Sequence, residues 1–593
     1  MRKITPAWVR VGAVALVAIV ASVALELLNG RTISALGTWL GAFPAQALFN
    51  ALFGVLLAFG VLALTGRAVV SLLIASGVLA LLGAVHSTKV AALGKPLFPW
   101  DVVLQYREAF ALVPQMRGAG WLLVAAVLVA FGLVAAVRWE RTALSWKLRA
   151  GLLGLVALSC WAIFPRVNQA LSRVGGTNIF WEQASNYRVN GLLLGLALNA
   201  NSAIVRAPAG YDSKTVKAAL GKPVVVVTPP SGDHPTVIVV MSESFFDPTR
   251  LPLVKFVDDP LPNLHRLQQE HLSGTLFPPV FGGGTANTEF EVLTGHSMRF
   301  LPAGSVPYQQ YLRRRHPSLA SLYAAQGYET VAVHTYHRWF WEREQVYGFL
   351  GFQRFVGLED MPSAVLDGPW PSDALLTSQL IEQFEARKGP LFMFGVSMEA
   401  HGPYLPGRYA EETVRFESEL DEPAQRQLAA YVQSANHADR ELGALVDYFS
   451  NVKTPVFIVF FGDHLPSLPL VLAQTGVIGN LDSPDLKQRD FLHQVPLLIW
   501  TNTPTAPKAL GSLSSSFLGP VLLELTGTPG SRYTDFLSGV HRALPVMVPG
   551  LVSDAEGVLS DEPPDALQPL EQAWWTLEYD QLFGEQYVDR EEG

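Results

Sequence analysis

At 593 residues the chain exceeds what one hydrophobic core usually organises, so two or more domains are expected. Its net charge of -8, with no basic cluster in the second half, argues against a nucleic-acid partner. The single cysteine, Cys160, excludes an intramolecular disulfide.

Ala, Leu, Val and Gly dominate up to about residue 165. Apolar runs at 8–28, 43–65, 68–86, 120–138 and 150–164 approach the roughly 20 residues that cross a bilayer, predicting about five spans in a membrane domain over 1–165. The first run follows Met1-Arg2-Lys3 and reads as a signal anchor, because further spans follow it. Arg2, Lys3, Arg10, Arg67, Arg138, Arg141, Lys147 and Arg149 fall on one side if the N-terminus is inside. An odd number of spans then places the rest of the chain outside. Almost no ionisable residue interrupts the runs, which suits an anchor better than a conduction path. The loop at 87–119 is too polar to span and is expected on the outer surface, with Phe98 and Trp100 at headgroup depth. The run Gly191–Leu198 is too short to span; it reads as an interfacial helix within a linker over 166–230.

From Pro235 onward, short β-branched and aromatic runs alternate with helical stretches, the pattern of a mostly parallel sheet covered on both faces. Thr236–Met241 leads into Ser242-Glu243, Glu329–Val333 into His334, Leu391–Val396 into Glu399-Ala400-His401, and Pro455–Phe461 into Gly462-Asp463-His464. Ligands of open α/β sheets bind at the carboxyl ends of the strands, so one rim is expected to carry Glu243, His334, His401, Asp463 and His464. Any single polar strand end means little, and Leu497–Trp500 ends in Thr501-Asn502 with no ligand type at all. Carboxylates and imidazoles on four ends together suit a divalent ion such as Mn²⁺, Mg²⁺ or Zn²⁺. Upstream, Gly282-Gly283-Gly284 permits a tight turn into a helix over Ala286–Leu293, which puts Thr285 at or near its N-cap. Plain capping explains such a threonine by itself. Beside a metal, the same position favours a bound phosphate and an activated hydroxyl.

Ser242-Glu243-Ser244, Gly284-Thr285-Ala286-Asn287-Thr288-Glu289-Phe290, Phe340-Trp341-Glu342-Arg343, His401-Gly402-Pro403, Gly462-Asp463-His464 and Tyr579–Gly584 together carry a resemblance to the lipoteichoic acid synthase-like family. These are membrane phosphoglycerol transferases of bacterial cytoplasmic membranes whose exported domain has a sulfatase/alkaline phosphatase fold. The resemblance implies a catalytic domain over 231–545 and a C-terminal extension over 546–593. It makes Glu243, Thr285, Asp463 and His464 the ligands of one divalent metal, Mn²⁺ foremost, and Thr285 the covalent nucleophile. His334, Trp341, Arg343 and His401 become the wall that holds the phosphoglycerol head, with His401 also a proton donor to the leaving oxygen. Phosphatidylglycerol is the implied donor and an envelope polymer or glucan the acceptor. Family members usually keep an acidic residue a few positions before the tryptophan, where this chain has Tyr336-His337-Arg338. The rival readings are a phosphoethanolamine transferase and a catalytically silent scaffold. A true sulfatase would need a C/S-x-P-x-R motif that the Thr285 loop lacks.

Overall fold

A computed structural model of the protein describes residues 6–93, 96–101, most of 132–179, 183–202, 205–221, 234–361, 366–478 and 484–592. The chain divides into two compact units, Met1–Val205 with Pro302–Gly304, and Arg206–Leu301 with Ser305–Gly593. The stretch 166–230, read from sequence as one linker, is therefore shared between them.

In the first unit, four helices are long and apolar enough to cross a membrane: α1 (Ala7–Leu28), α2 (Pro44–Thr65), α3 (Ala68–Leu93) and α4 (Trp146–Ile163). Their outward faces stay apolar, with Leu16, Leu81 and Leu158 largely exposed, as lipid-facing helices require. The further span expected at 120–138 lies almost wholly outside the described residues. Two expectations are corrected here. The run read as an interfacial helix is α5 (Leu192–Ser202), with Leu192, Leu194 and Leu198 fully buried and packed within the bundle. Its first amides cannot bond within the helix; Leu192 N–H donates to Glu26 Oε1 (2.8 Å), and Leu193 and Leu194 N–H donate to Asn50 Oδ1 (2.9 and 3.1 Å). Glu26 is thus a buried ionisable residue at the end of α1 that caps a neighbouring helix. Phe98, expected at headgroup depth, is buried beside Tyr187, whose hydroxyl donates to Leu97 O (2.5 Å).

The second unit is built on an eight-stranded sheet: β1 (Thr236–Ser242), β2 (Leu272–Phe277), β3 (Glu329–His334), β4 (Arg354–Val356), β5 (Leu391–Val396), β6 (Val456–Gly462), β7 (Val495–Thr501) and β8 (Lys508–Ser514). The strand order is β8-β2-β7-β6-β1-β5-β3-β4. Every pairing is parallel except the two made by β7, so β7 alone runs against the other strands. That explains the strand end without ligands: Thr501 pairs with Phe457 near the start of β6, so Thr501-Asn502 lies at the opposite edge. β1 and β5 are buried along their whole length, as continuous apolar runs in a doubly covered sheet should be.

Residues 206–221 belong to this unit. The helix α6 (Ser213–Leu220) packs on α8 (Gln568–Leu582), and Tyr211 donates to Asp580 Oδ1 (2.6 Å). The last 48 residues close over the chain that follows α7 (Thr285–Thr294). Trp574 is fully buried, Glu578 Oε2 accepts from Ser297 N–H (2.7 Å), and Arg299 pairs with Glu571 (2.7 Å) and Glu562 (2.6 Å).

Candidate metal centre and active site

Strand register assembles the centre. Ser242 lies opposite Gly462 across β1 and β6, so Glu243 and Asp463 leave the sheet side by side. A Cβ at Gly462 would stand 2.0 Å from Phe245 O, so a side chain there would push the Glu243 loop off the strand end. Glu243, Asp463 and His464 are buried, with one donor atom from each within 4.8 Å of the others. His464 Nε2 is 3.3 Å from Asp463 Oδ2 and 3.8 Å from Glu243 Oε1. His464 Nδ1–H donates to Leu465 O (2.9 Å), which turns Nε2 toward the two carboxylates. Asp463 Oδ2 and His464 Nε2 are both buried without a hydrogen-bond partner. Two acceptor atoms in that state are costly unless a cation completes them, and carboxylate, hydroxyl and imidazole donors suit a divalent ion.

Thr285 reaches the same point from the other side. Gly282, Gly283 and Gly284 all have positive φ (66°, 145° and 102°), and this turn delivers Thr285 as the first residue of α7, one position beyond the cap. Its hydroxyl donates to Glu243 Oε2 at 3.3 Å. All four sequence-expected ligands therefore meet.

Burial, followed by the charge of Asp463, pushes the Glu243 carboxyl up to about 7. Three residues have supporting roles that the sequence did not assign. Ser244, with φ +53°, gives its amide to Asp463 Oδ1 (2.6 Å) and its hydroxyl to Glu243 Oε1 (2.9 Å). Ser397 Oγ accepts from Glu243 N–H (3.0 Å), and Thr288 Oγ1 donates to Asp463 O (2.8 Å). Thr288 sits one helical turn after Thr285, a spacing that could have flagged it.

The four residues expected to hold a phosphoglycerol head have different fates. His334 is buried at the end of β3, where Nδ1–H donates to Val396 O (3.0 Å). His401 Nδ1–H donates to Gly402 O (2.8 Å). Burial lowers the pKa of both imidazoles, so at neutral pH each is uncharged with a bare Nε2. The His401 loop is clamped by Arg408, whose guanidinium donates to Glu399 O, His401 O (2.9 Å) and Pro403 O (3.2 Å). Trp341 is half-buried at φ +59°, followed by Glu342 at φ +58°; two consecutive left-handed non-glycine residues are a strained conformation of the kind found at binding sites.

Arg343 is where the structure departs most from expectation. It is buried, and its Nε and Nη2 both engage Glu289 (Nε–Oε1 3.0 Å, Nη2–Oε1 2.5 Å), while Tyr347 donates to Glu289 Oε2 (2.7 Å). Burial works against the guanidinium charge, but Glu289 outweighs it and holds the pKa above the ordinary arginine value. The fork expected to clamp a phosphate is already occupied. Glu289 lies four residues after Thr285 on the same helix face, a signal the sequence did contain.

The sulfatase family matches residues 235–528. A Rhizobium meliloti protein named for cyclic beta-1,2-glucan modification is 36% identical over 501 residues, covering 81% of this chain and 77% of its own. The lipoteichoic acid synthase of Staphylococcus aureus is 25% identical over 306 residues, 47% of this chain and 44% of its own. The chain belongs to the lipoteichoic acid synthase-like family. A Streptococcus pyogenes phosphoglycerol transferase, GacH, solved in complex with sn-glycerol-1-phosphate, shares the fold with a TM-score of 0.55 at 22% identity, covering 65% of this chain and 98% of that one. This family places the chain among membrane transferases of the sulfatase/alkaline phosphatase superfamily, whose enzymes use a divalent metal.

Two predictions follow from these contacts. Metal binding must expel the proton that Glu243 holds below pH about 7, so affinity measured by calorimetry falls about tenfold from pH 8 to pH 6, with close to one proton released at pH 6. Glu289→Ala strands the Arg343 charge in the core and lowers stability by about 3–5 kcal/mol in thermal or denaturant unfolding, whereas Glu289→Ala with Arg343→Met recovers most of the loss.

Proposed function

We propose that this protein transfers phosphoglycerol from phosphatidylglycerol to a glucan through a covalent phospho-threonine at Thr285. The observation that carries the reading is the Thr285 hydroxyl, at the start of a buried helix, hydrogen-bonded to Glu243 and adjoining the unpartnered Asp463 Oδ2 and His464 Nε2. A glucan acceptor, specifically a cyclic β-1,2-glucan, is supported by the Rhizobium meliloti relative. The cationic flanks of the apolar helices support an inside N-terminus, and with the run at 120–138 as a fifth span the catalytic unit falls on the outer side of the cytoplasmic membrane.

A divalent ion, Mn²⁺ foremost, held by Glu243, Asp463, His464 and the Thr285 hydroxyl would lower the hydroxyl pKa and draw charge from the phosphoryl oxygens. In the first step Thr285 Oγ1 bonds to phosphorus as the bond from phosphorus to the diacylglycerol oxygen breaks. The hydroxyl proton leaves along its hydrogen bond to Glu243, and the departing oxygen takes a proton from His401. That ring is neutral at rest; the anionic phosphodiester raises its pKa on binding, and Nε2 then carries the proton. In the second step a glucan hydroxyl attacks the phosphorus, His401 Nε2 accepts its proton, and the threonine oxygen leaves, taking back the proton that Glu243 accepted. His334 Nε2 and Trp341 line the glycerol. Arg343, committed to Glu289, offers the glycerophosphate only its Nη1 edge and chiefly fixes the α7 end of the site.

The test uses the full-length chain in detergent, Mn²⁺, head-labelled phosphatidylglycerol and cyclic β-1,2-glucan. Label moves onto the glucan, which becomes anionic, and Thr285→Ala lowers the rate by about a thousandfold or more while still binding metal. Transfer at the wild-type rate by Thr285→Ala, or label found only on lipid, would contradict the reading.

A further inference from the structure

Beside the metal centre a chain of aromatic rings leads away from His401. Trp370 meets His401 edge-on at 4.9 Å between centroids, and its Nε1–H donates to His401 O (2.8 Å). Tyr336 follows at 5.9 Å from Trp370, and Phe340 at 5.3 Å from Tyr336. Phe340 then branches, to Trp341 at 5.3 Å and to Trp339 at 5.9 Å. Trp339 is 40% exposed, and the remaining rings are half-buried, so the wall runs from the catalytic histidine into solvent.

Two features decide what such a wall accepts. First, its polar atoms are idle: Tyr336 Oη, Trp339 Nε1, Trp341 Nε1 and His401 Nε2 make no hydrogen bond among the described residues. An acyl chain would leave these atoms desolvated and unpaired, whereas a polyhydroxylated ring offers them partners. Second, the charges around it are already matched. His337 pairs with Glu359 (2.9 Å), Arg338 with Asp360 and Glu344 (3.2 Å each), and Arg313 with Glu342. With Arg338 and Arg313 engaged, neither guanidinium is free to serve an anionic group there.

We infer that this wall is the acceptor subsite and takes neutral sugar rings, with Trp339 and Tyr336 stacking on the C–H faces of two hexose units while the hydroxyl to be modified points at His401. The assignment rests on the glucan-transfer reading above and extends it to the residues that choose the acceptor. The aromatic faces and hydrogen-bonding ring edges of Tyr336, Trp339 and Trp370 select a neutral hexose on this side, while the glycerophosphate is held separately by the metal centre, His334 and Trp341.

The test titrates an uncharged glucose oligosaccharide, and separately sn-glycerol-1-phosphate, into full-length Thr285→Ala protein loaded with Mn²⁺, followed by calorimetry. In that background Trp339→Ala weakens oligosaccharide binding about tenfold, Trp339→Tyr restores most of it, and glycerol phosphate binds equally to all three. Unchanged oligosaccharide affinity in Trp339→Ala overturns the subsite, as does loss of glycerol phosphate binding in its place or absence of any oligosaccharide binding. Saturable oligosaccharide binding that depends on Trp339, in a protein that transfers nothing to glucan, supports the subsite and refutes the transfer reading instead.

Discussion

Glu243 and Asp463 leave neighbouring parallel strands at the same height and are buried together, beside Nε2 of His464. Burial, and after it the charge of Asp463, pushes the Glu243 carboxyl up to about 7, so a cation between the two carboxylates is favoured. Much of the surrounding structure exists to sustain this arrangement. Ser244 adopts a left-handed backbone to donate twice, Ser397 holds the Glu243 amide in place, and Gly462 yields the space the Glu243 loop needs. The glycine turn before Thr285 then brings a hydroxyl to the open side of the cluster.

The central strands could be read from sequence because a doubly covered parallel strand is a continuous apolar run that stops abruptly at a polar residue, and β1, β3, β5 and β6 all do so. Glu243, Asp463 and His464 stand at two of those stops and were legible for the same reason, while Thr285 was marked by its glycine turn and the four became one ligand set only through the family resemblance. Register could not be read. That Ser242 faces Gly462, and that β7 runs against β2, depends on pairings between segments more than two hundred residues apart.

Side-chain commitments were less visible still. Arg343 was expected at the phosphate because an arginine in that motif has the right fork, yet its Nε and Nη2 are spent on Glu289. Hydropathy likewise showed α5 as a short apolar helix but not its burial, because the groups that cap it, Glu26 and Asn50, come from distant helices and read locally as isolated polar residues in apolar runs. In both cases a polar residue that looks available in sequence is already satisfying a buried partner.

The central claim is that Thr285 itself carries the transferred group. Full-length protein incubated with Mn²⁺ and phosphatidylglycerol without acceptor, then quenched in acid and digested, should yield a peptide in which Thr285 bears a glycerophosphoryl group by mass spectrometry. Glucan added before the quench should discharge it, and a chelator should prevent its formation. Turnover with Thr285 unmodified at every time point, or the same adduct on another residue, would contradict the account.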